Sequence, residues 1–160
     1  MSTLRVKVAD FAVGRDGDTV IATVGLGSCV AIALYDPATR VGGLAHVLLP
    51  SESMARDKSN RAKFPAAAVP MLLEQMKGLG CNGGIGARLV GGASMFASLL
   101  PTGGVNIGER NVAASRAALA AAGVPLLGED IGGDYGRSVY FHLADGRIEV
   151  HSLKAGRRVI

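Results

Sequence analysis

Cys29 stands where a glycine-rich turn, Gly25-Leu26-Gly27-Ser28, meets an apolar run that continues to Tyr35. A thiol there can serve as a nucleophile. Glycines let backbone amides turn toward a substrate oxygen, so Gly27, Ser28 and Cys29 are candidate oxyanion-hole residues. A small buried core cysteine would look the same in the sequence. His46 lies in Leu44-Ala45-His46-Val47-Leu48-Leu49, an apolar run in which an imidazole needs a polar partner. It reads either as a buried structural histidine or as a general base for Cys29. Thr23 is a third candidate, because its hydroxyl can hold the histidine ring in a useful tautomer. That job more often falls to Asp or Asn, and a strand threonine is otherwise ordinary.

These three side chains meet only if the chain brings them together. Asp36-Pro37-Ala38-Thr39 is a strong turn signal, with proline at its favoured second position. If Asp36 pairs with Val41 in an antiparallel hairpin, Cys29 faces Leu48 and His46 faces Ala31. Cys29 and His46 then share one sheet face as diagonal neighbours, roughly 7–8 Å apart. A slip of one residue would put them on opposite faces.

The remaining elements follow from periodicity and punctuation. Strands are expected over residues 4–8, 19–24, 29–35, 41–48, 87–90, 125–127, 138–143 and 147–153, with Asp16-Gly17 and Asp145-Gly146 as turns. Residues 51–63 read as a polar loop. One helix is expected over 69–77, with Val69, Leu72, Leu73 and Met76 on one face. Pro70 should keep it from starting before Ala67, or else kink it. A second is expected over 107–122, capped by Asn106 with Glu109 reaching back, and stopped by Gly123 and Pro125. Strands outnumber helices and several connections are hairpins. This favours a single α+β, layered α/β domain with a mixed, largely antiparallel sheet over a doubly wound Rossmann fold.

Composition excludes several classes. Apolar residues make up 49% of the 160, enough for a core. Two uncharged stretches, 19–35 and 89–108, approach the length of a membrane span. Their internal glycines and Pro101 would leave backbone groups unpaired in lipid, so they read as buried strands and tight loops. The start of the chain lacks the apolar run of a signal peptide, and a cytoplasmic location is expected. Aromatic residues are 4%, too few for a base-stacking platform. No phosphate-loop or complete dinucleotide motif is present, and His142 and His151 have no nearby cysteine pair for zinc. Cys81 follows a helix end and reads as structural. The formal charge is +4, with basic runs over 56–63 and 147–158 that are either solvated surface or a face for an anionic partner.

The densest motifs are Thr23-Val24-Gly25-Leu26-Gly27-Ser28-Cys29-Val30, Tyr35-Asp36-Pro37 and Ala45-His46-Val47-Leu48-Leu49-Pro50. To these are added Gly91-Gly92-Ala93-Ser94-Met95-Phe96, Asn106-Ile107-Gly108-Glu109-Arg110-Asn111 and Gly132-Gly133 with Gly136-Arg137-Ser138-Val139. Together they resemble the chemoreceptor glutamine deamidases, the CheD family, over nearly the whole chain. The resemblance implies a layered α/β fold shared with glutamine-deamidating toxins, and a catalytic triad carried onto Cys29, His46 and Thr23. It also implies hydrolysis of selected glutamine side chains on methyl-accepting chemoreceptors to glutamate, and the residues read above would carry this through a cysteine thioester with no metal or organic cofactor. Some relatives bind a CheC-family chemotaxis phosphatase. Among the matched segments, Gly91, Gly92, Ser94, Arg110, Asn111 and Arg137 are candidate substrate-binding residues. Arg110 and Arg137, with Asp134, can equally be members of structural ion pairs.

Glycine is in excess, 23 of 160 residues. Those at 25, 27, 42, 43, 91, 92, 103, 104, 108, 132, 133 and 136 fall in or beside these segments, and many are expected to shape loops around Cys29. A non-catalytic receptor adaptor and a nucleic-acid binder are the competing readings. A thiol paired with histidine should have a lowered pKa and alkylate fast at neutral pH, whereas the adaptor predicts an inert one. Nucleic-acid binding would be strongly salt-dependent.

Overall fold

The computed structural model describes residues 2–15, 17–94 and 106–160. Asp16, Met95, Phe96, Pro101, Gly103 and Gly104 therefore lie outside the described residues. The described strands are β1 (Ser2–Arg5), β2 (Phe11–Gly14), β3 (Thr19–Leu26), β4 (Val30–Asp36), β5 (Val41–Val47), β6 (Gly86–Gly91), β7 (Leu126–Ile131), β8 (Arg137–His142), β9 (Ile148–Ser152) and β10 (Gly156–Val159). The helices are α1 (Pro65–Gly78) and α2 (Ile107–Ala121). One sheet runs β1-β3-β8-β9-β10 and the other β2-β5-β4-β6-β7. Pairing is antiparallel except for β1 with β3 and β6 with β7. The fold is thus α+β and layered, with two sheets where the sequence suggested one.

Strand β4 shows how the layers stack. All seven of its residues are buried, including Asp36 at its end, as suits a largely apolar run covered on both faces. Ala31, Ala33 and Tyr35 pack toward Ile21, Val139 and Phe141 of the first sheet. Val30, Ile32 and Leu34 pack toward Val69, Leu72 and Met76 of α1 and Val112 and Leu119 of α2. Burying each large aliphatic side chain contributes roughly 1.5–3 kcal/mol. Gly42 lets the sheets close up, since a Cβ there would overlap Leu143 and press on Phe141.

The hairpin register came out as the turn implied. Asp36 pairs with Val41, Ala31 with His46 and Val30 with Val47. Asn106 caps α2 by accepting from the Glu109 N–H at 3.0 Å.

Other expectations need correction. The first strand lies at Ser2–Arg5, and β2 follows it before β3. β2 is a half-buried edge strand ended by Gly14, too short to show alternation. β10 was also missed. Its Gly-Arg-Arg-Val is fully exposed and is held by backbone pairing to β9 and by the Arg157–Glu149 ion pair at 2.6 Å. The 51–63 segment contains short 3-10 turns at Glu52–Met54 and Arg61–Lys63. Helix α1 begins at Pro65, earlier than Pro70 seemed to allow. Pro65 suits the first helical position. Pro70 removes the bond to the Ala66 carbonyl, and both residues are on the exposed face of the helix.

Candidate active site

Thr23 comes from the first sheet, His46 from the second, and Cys29 from the connection between them. Cys29 precedes β4 on the connection between the sheets. Alternation aims it with Ala31 and Ala33 toward the inter-sheet core. His46 is opposite Ala31 and shares the parity of Leu44, which also faces that core. Thr23 sits just before a bulge in β3, where pairing with β8 shifts between Thr23 and Leu26. Beyond Thr23 the bulge turns the chain outward. Val24 is 56% exposed, and Gly25 has φ +74°.

The hydrogen bonds fix the histidine tautomer. Thr23 Oγ1 lies 2.7 Å from the Val6 carbonyl and 2.7 Å from His46 Nδ1. A carbonyl can only accept, so the single hydroxyl proton goes to Val6. Thr23 must therefore accept from His46, which places the imidazole proton on Nδ1. His46 is fully buried, and burial lowers its pKa to about 4, so the ring is neutral. Its Nε2 is then a bare lone pair, and it has no hydrogen-bond partner among the described residues. Segment 6–10 also holds the histidine backbone. The Ala9 N–H donates to His46 O at 2.9 Å, and the His46 N–H to Asp10 O at 3.0 Å.

Cys29 is 8% exposed and is a free thiol, as is Cys81. Burial raises the Cys29 pKa, and its own backbone N–H opposes that rise. This runs against the lowered value expected from the sequence, so slow alkylation at neutral pH does not separate an enzyme from an adaptor here. Both shifts favour the neutral thiol and neutral imidazole at rest. Cys81 donates to Asp36 at 3.4 Å, beyond the far end of β4.

Three successive carbonyls around the thiol are pinned. Gly27 O accepts from the Ala93 N–H at 2.9 Å, and Cys29 O from the Gly92 N–H at 2.8 Å. Ser28 O accepts from Asn111 Nδ2 at 2.9 Å. Because peptides are planar, each pinned carbonyl fixes the direction of the following N–H. No backbone carbonyl among the described residues takes the Ser28 or Cys29 N–H.

Gly91 permits this approach. Its φ is +114°, and a Cβ there would collide with the Cys29 carbonyl oxygen. The Gly132 N–H in turn donates to Gly91 O at 3.0 Å, and the Ser94 N–H to Gly133 O at 2.9 Å. The Gly91-Gly92 segment thus lies against Cys29, and the Gly132-Gly133 segment backs it through Gly91 and Ser94, whereas Gly42 and Gly43 serve packing within the sandwich.

The other candidates separate. Asn111 is fully buried and bonds Ser28 O and Leu48 O, both beside the thiol. Arg137 is 3% exposed and committed internally. It donates to Asp130 at 2.7 Å and to Gly132 O at 2.8 Å, and its guanidinium lies over the Tyr135 ring. Arg110 is exposed on α2, and Asp134 pairs with Lys154 at 2.5 Å. Sequence reasoning missed the Val6 carbonyl, which no side-chain pattern can announce, and the clamp role of Asn111. The signal for the clamp was there: Asn111 and Ser115 are polar at helical spacing on the buried face of α2.

Two clefts flank this arrangement differently. One of about 570 Å³ opens beside the bulge, between Gly25, Tyr135, Ser138, His151, Leu153 and Lys154. A larger one of about 630 Å³ lies around Tyr35, Arg88 and Leu127. It is at the other end of β4, roughly 20 Å from the thiol at about 3.3 Å per residue.

Comparison with known proteins agrees with the motifs. The family profile described as "CheD chemotactic sensory transduction" matches residues 48–152. That match begins after His46. Full-length relatives cover the rest. A protein of Caldanaerobacter subterraneus subsp. tengcongensis named "Probable chemoreceptor glutamine deamidase CheD" is 42% identical, over 98% of this chain and 97% of its own. "Probable chemoreceptor glutamine deamidase CheD 2" of Geobacter metallireducens is 46% identical over 94% of each. A Clostridium botulinum relative with the first name is 40% identical over 98% of this chain and 97% of its own. At that identity over nearly its whole length, the chain belongs to the CheD family.

Proposed function

We propose that this protein hydrolyses glutamine side chains of chemoreceptors to glutamate, releasing ammonia, with Cys29 as nucleophile, His46 as base and Thr23 as its orienting partner. The names of its relatives support the reaction. The observation that carries the residue roles is the chain His46 Nδ1–H to Thr23 Oγ1–H to Val6 O. It leaves Nε2 free to take a proton on the face that Cys29 shares.

As the Cys29 sulfur attacks the carboxamide carbon, its proton passes to His46 Nε2. The resting pair is neutral, so proton transfer accompanies C–S bond formation. The oxygen of the tetrahedral intermediate is held by the Ser28 and Cys29 N–H groups. Such a donor is typically worth about 3–4 kcal/mol. The proton on Nε2 then goes to the departing nitrogen, and ammonia leaves a thioester. Water, deprotonated by His46, attacks the thioester, giving glutamate and the free thiol. Every step uses protein groups and water.

The free thiols suit a reducing, cytoplasmic setting, and no helix among the described residues is long and apolar enough to cross a membrane. Family membership also supports a CheC-type phosphatase as a regulatory partner, to be tested by co-purification. The deciding experiment is mass spectrometry of co-expressed receptor, searching for Gln-to-Glu conversion. Conversion should appear with the wild type and vanish with Cys29→Ala. Undiminished conversion by Cys29→Ala refutes the nucleophile, and a Cys29→Ala that matches a wild type giving no conversion leaves an adaptor.

A further inference from the structure

The rung of the β4–β5 hairpin that carries the thiol is not closed by strand pairing. The last paired residues are Val30 and Val47. One step further, Cys29 would face Leu48. The Leu48 N–H instead donates to Lys63 O at 3.0 Å, and Cys29 O accepts from the Gly92 N–H. What joins the two strand ends is a side chain from another layer. Asn111 Nδ2 donates to Ser28 O at 2.9 Å and to Leu48 O at 3.1 Å. The amide nitrogen has two protons, one for each carbonyl.

We infer that Asn111 is a positioning residue for the nucleophile, its carboxamide standing in for the missing ladder bond between the ends of β4 and β5. The inference rests on the functional reading above. By pinning Ser28 O, Asn111 also sets the plane of the peptide whose N–H belongs to Cys29, so one side chain aims both the thiol and an oxyanion donor. By pinning Leu48 O, it references them to the strand that carries His46. Neither alanine nor a charged side chain suits the place. Alanine makes neither bond. Aspartate presents acceptors to two acceptors. Lysine or arginine would bury a charge that has no counter-ion.

The test compares Asn111→Ala and Asn111→Asp with Ser115→Ala. Ser115 lies one turn along the same buried face, and its hydroxyl donates to Asn111 O without touching the hairpin. Misplacing reacting groups by about 1 Å costs up to about 100-fold. Both Asn111 variants should therefore lose about tenfold or more in kcat per folded molecule, with KM for receptor within about twofold. Their Cys29 alkylation should follow a shifted pH profile. Ser115→Ala should keep wild-type kcat and profile. Wild-type kcat in Asn111→Ala overturns the inference, as does an equal loss in Ser115→Ala, which would mean general loosening of α2. If the Asn111 variants do not fold, NMR of the wild type decides. The Asn111 side-chain amide protons should resist exchange and shift when Cys29 is alkylated. Free exchange without a shift overturns the proposal. Loss of activity in Cys29→Ala together with full activity in Asn111→Ala refutes this inference alone; activity in Cys29→Ala refutes the functional reading beneath it.

Discussion

Replacing Thr23 by valine keeps the shape of the side chain and removes its hydroxyl. In the wild type that hydroxyl accepts from His46 Nδ1 at 2.7 Å and donates to Val6 O at 2.7 Å, in a region closed to water. Valine leaves a buried imidazole N–H without an acceptor, at a cost of about 1–3 kcal/mol. The ring can avoid this by moving its proton to Nε2, and Nε2 is then no longer a base. A bias of that size lowers the population of the competent tautomer, and so kcat, roughly 5- to 150-fold at about 1.4 kcal/mol per factor of ten. Thr23→Ser retains the hydroxyl and should stay within a few-fold of wild type. The assay is initial-rate ammonia release from a purified receptor fragment, normalised to folded protein, with kcat and KM resolved. The drop should fall on kcat. Thr23→Val within twofold of wild type, or Thr23→Ser as impaired as Thr23→Val, would refute the tautomer argument.

Three further outcomes follow from the same geometry. His46 titrates at about 4 in the folded protein, below 6.5 for free histidine, so the unfolded chain binds its proton first. The stability contributed by the neutral ring is fully present above pH 6.5 and is lost as pH falls toward 4, by on the order of 3 kcal/mol. Denaturant titrations across that range should show the slope, and His46→Gln should flatten it. Because burial raises the Cys29 pKa, iodoacetamide alkylation of the free protein should be slow at pH 7 and still rising at pH 9; a plateau at neutral pH would contradict the burial argument. The basic segment after His46 faces solvent through Arg56, Lys58 and Arg61, with Lys63 half-buried. If it docks an acidic receptor surface, reversing the four charges should raise KM for receptor and leave kcat nearly unchanged, read from the same ammonia assay.

The sequence carried the hairpin and the placement of Cys29 and His46 well. Asp36-Pro37 fixed the turn, the turn fixed the register, and the register put Cys29 and His46 on one face. Cap chemistry likewise gave α2, through Asn106 and Gly123. What stayed hidden depended on backbone groups or on contacts between layers. The Val6 carbonyl has no signature in residue type. β10 is held by pairing and charge, and so lacks an apolar period. The start of α1 turned on Ala66 and Pro70 both facing solvent, which only the packed structure decides. The charge state of Cys29 was misjudged because spacing shows a histidine nearby but not how dry the thiol is.

The origin of Thr23 in one sheet and of His46 in the other, with Cys29 at the edge of the second, bears on when the proposed site is complete. The hairpin is a local structure and can form early, with thiol and imidazole already on one face. Thr23 belongs to β3, which is tied to β8 more than a hundred residues along the chain. Until that distant pairing closes the sandwich, nothing orients the imidazole proton. On the proposed roles, a chain in which that pairing has not formed would carry its cysteine in an unarmed form, so chemical competence would require both sheets to be assembled.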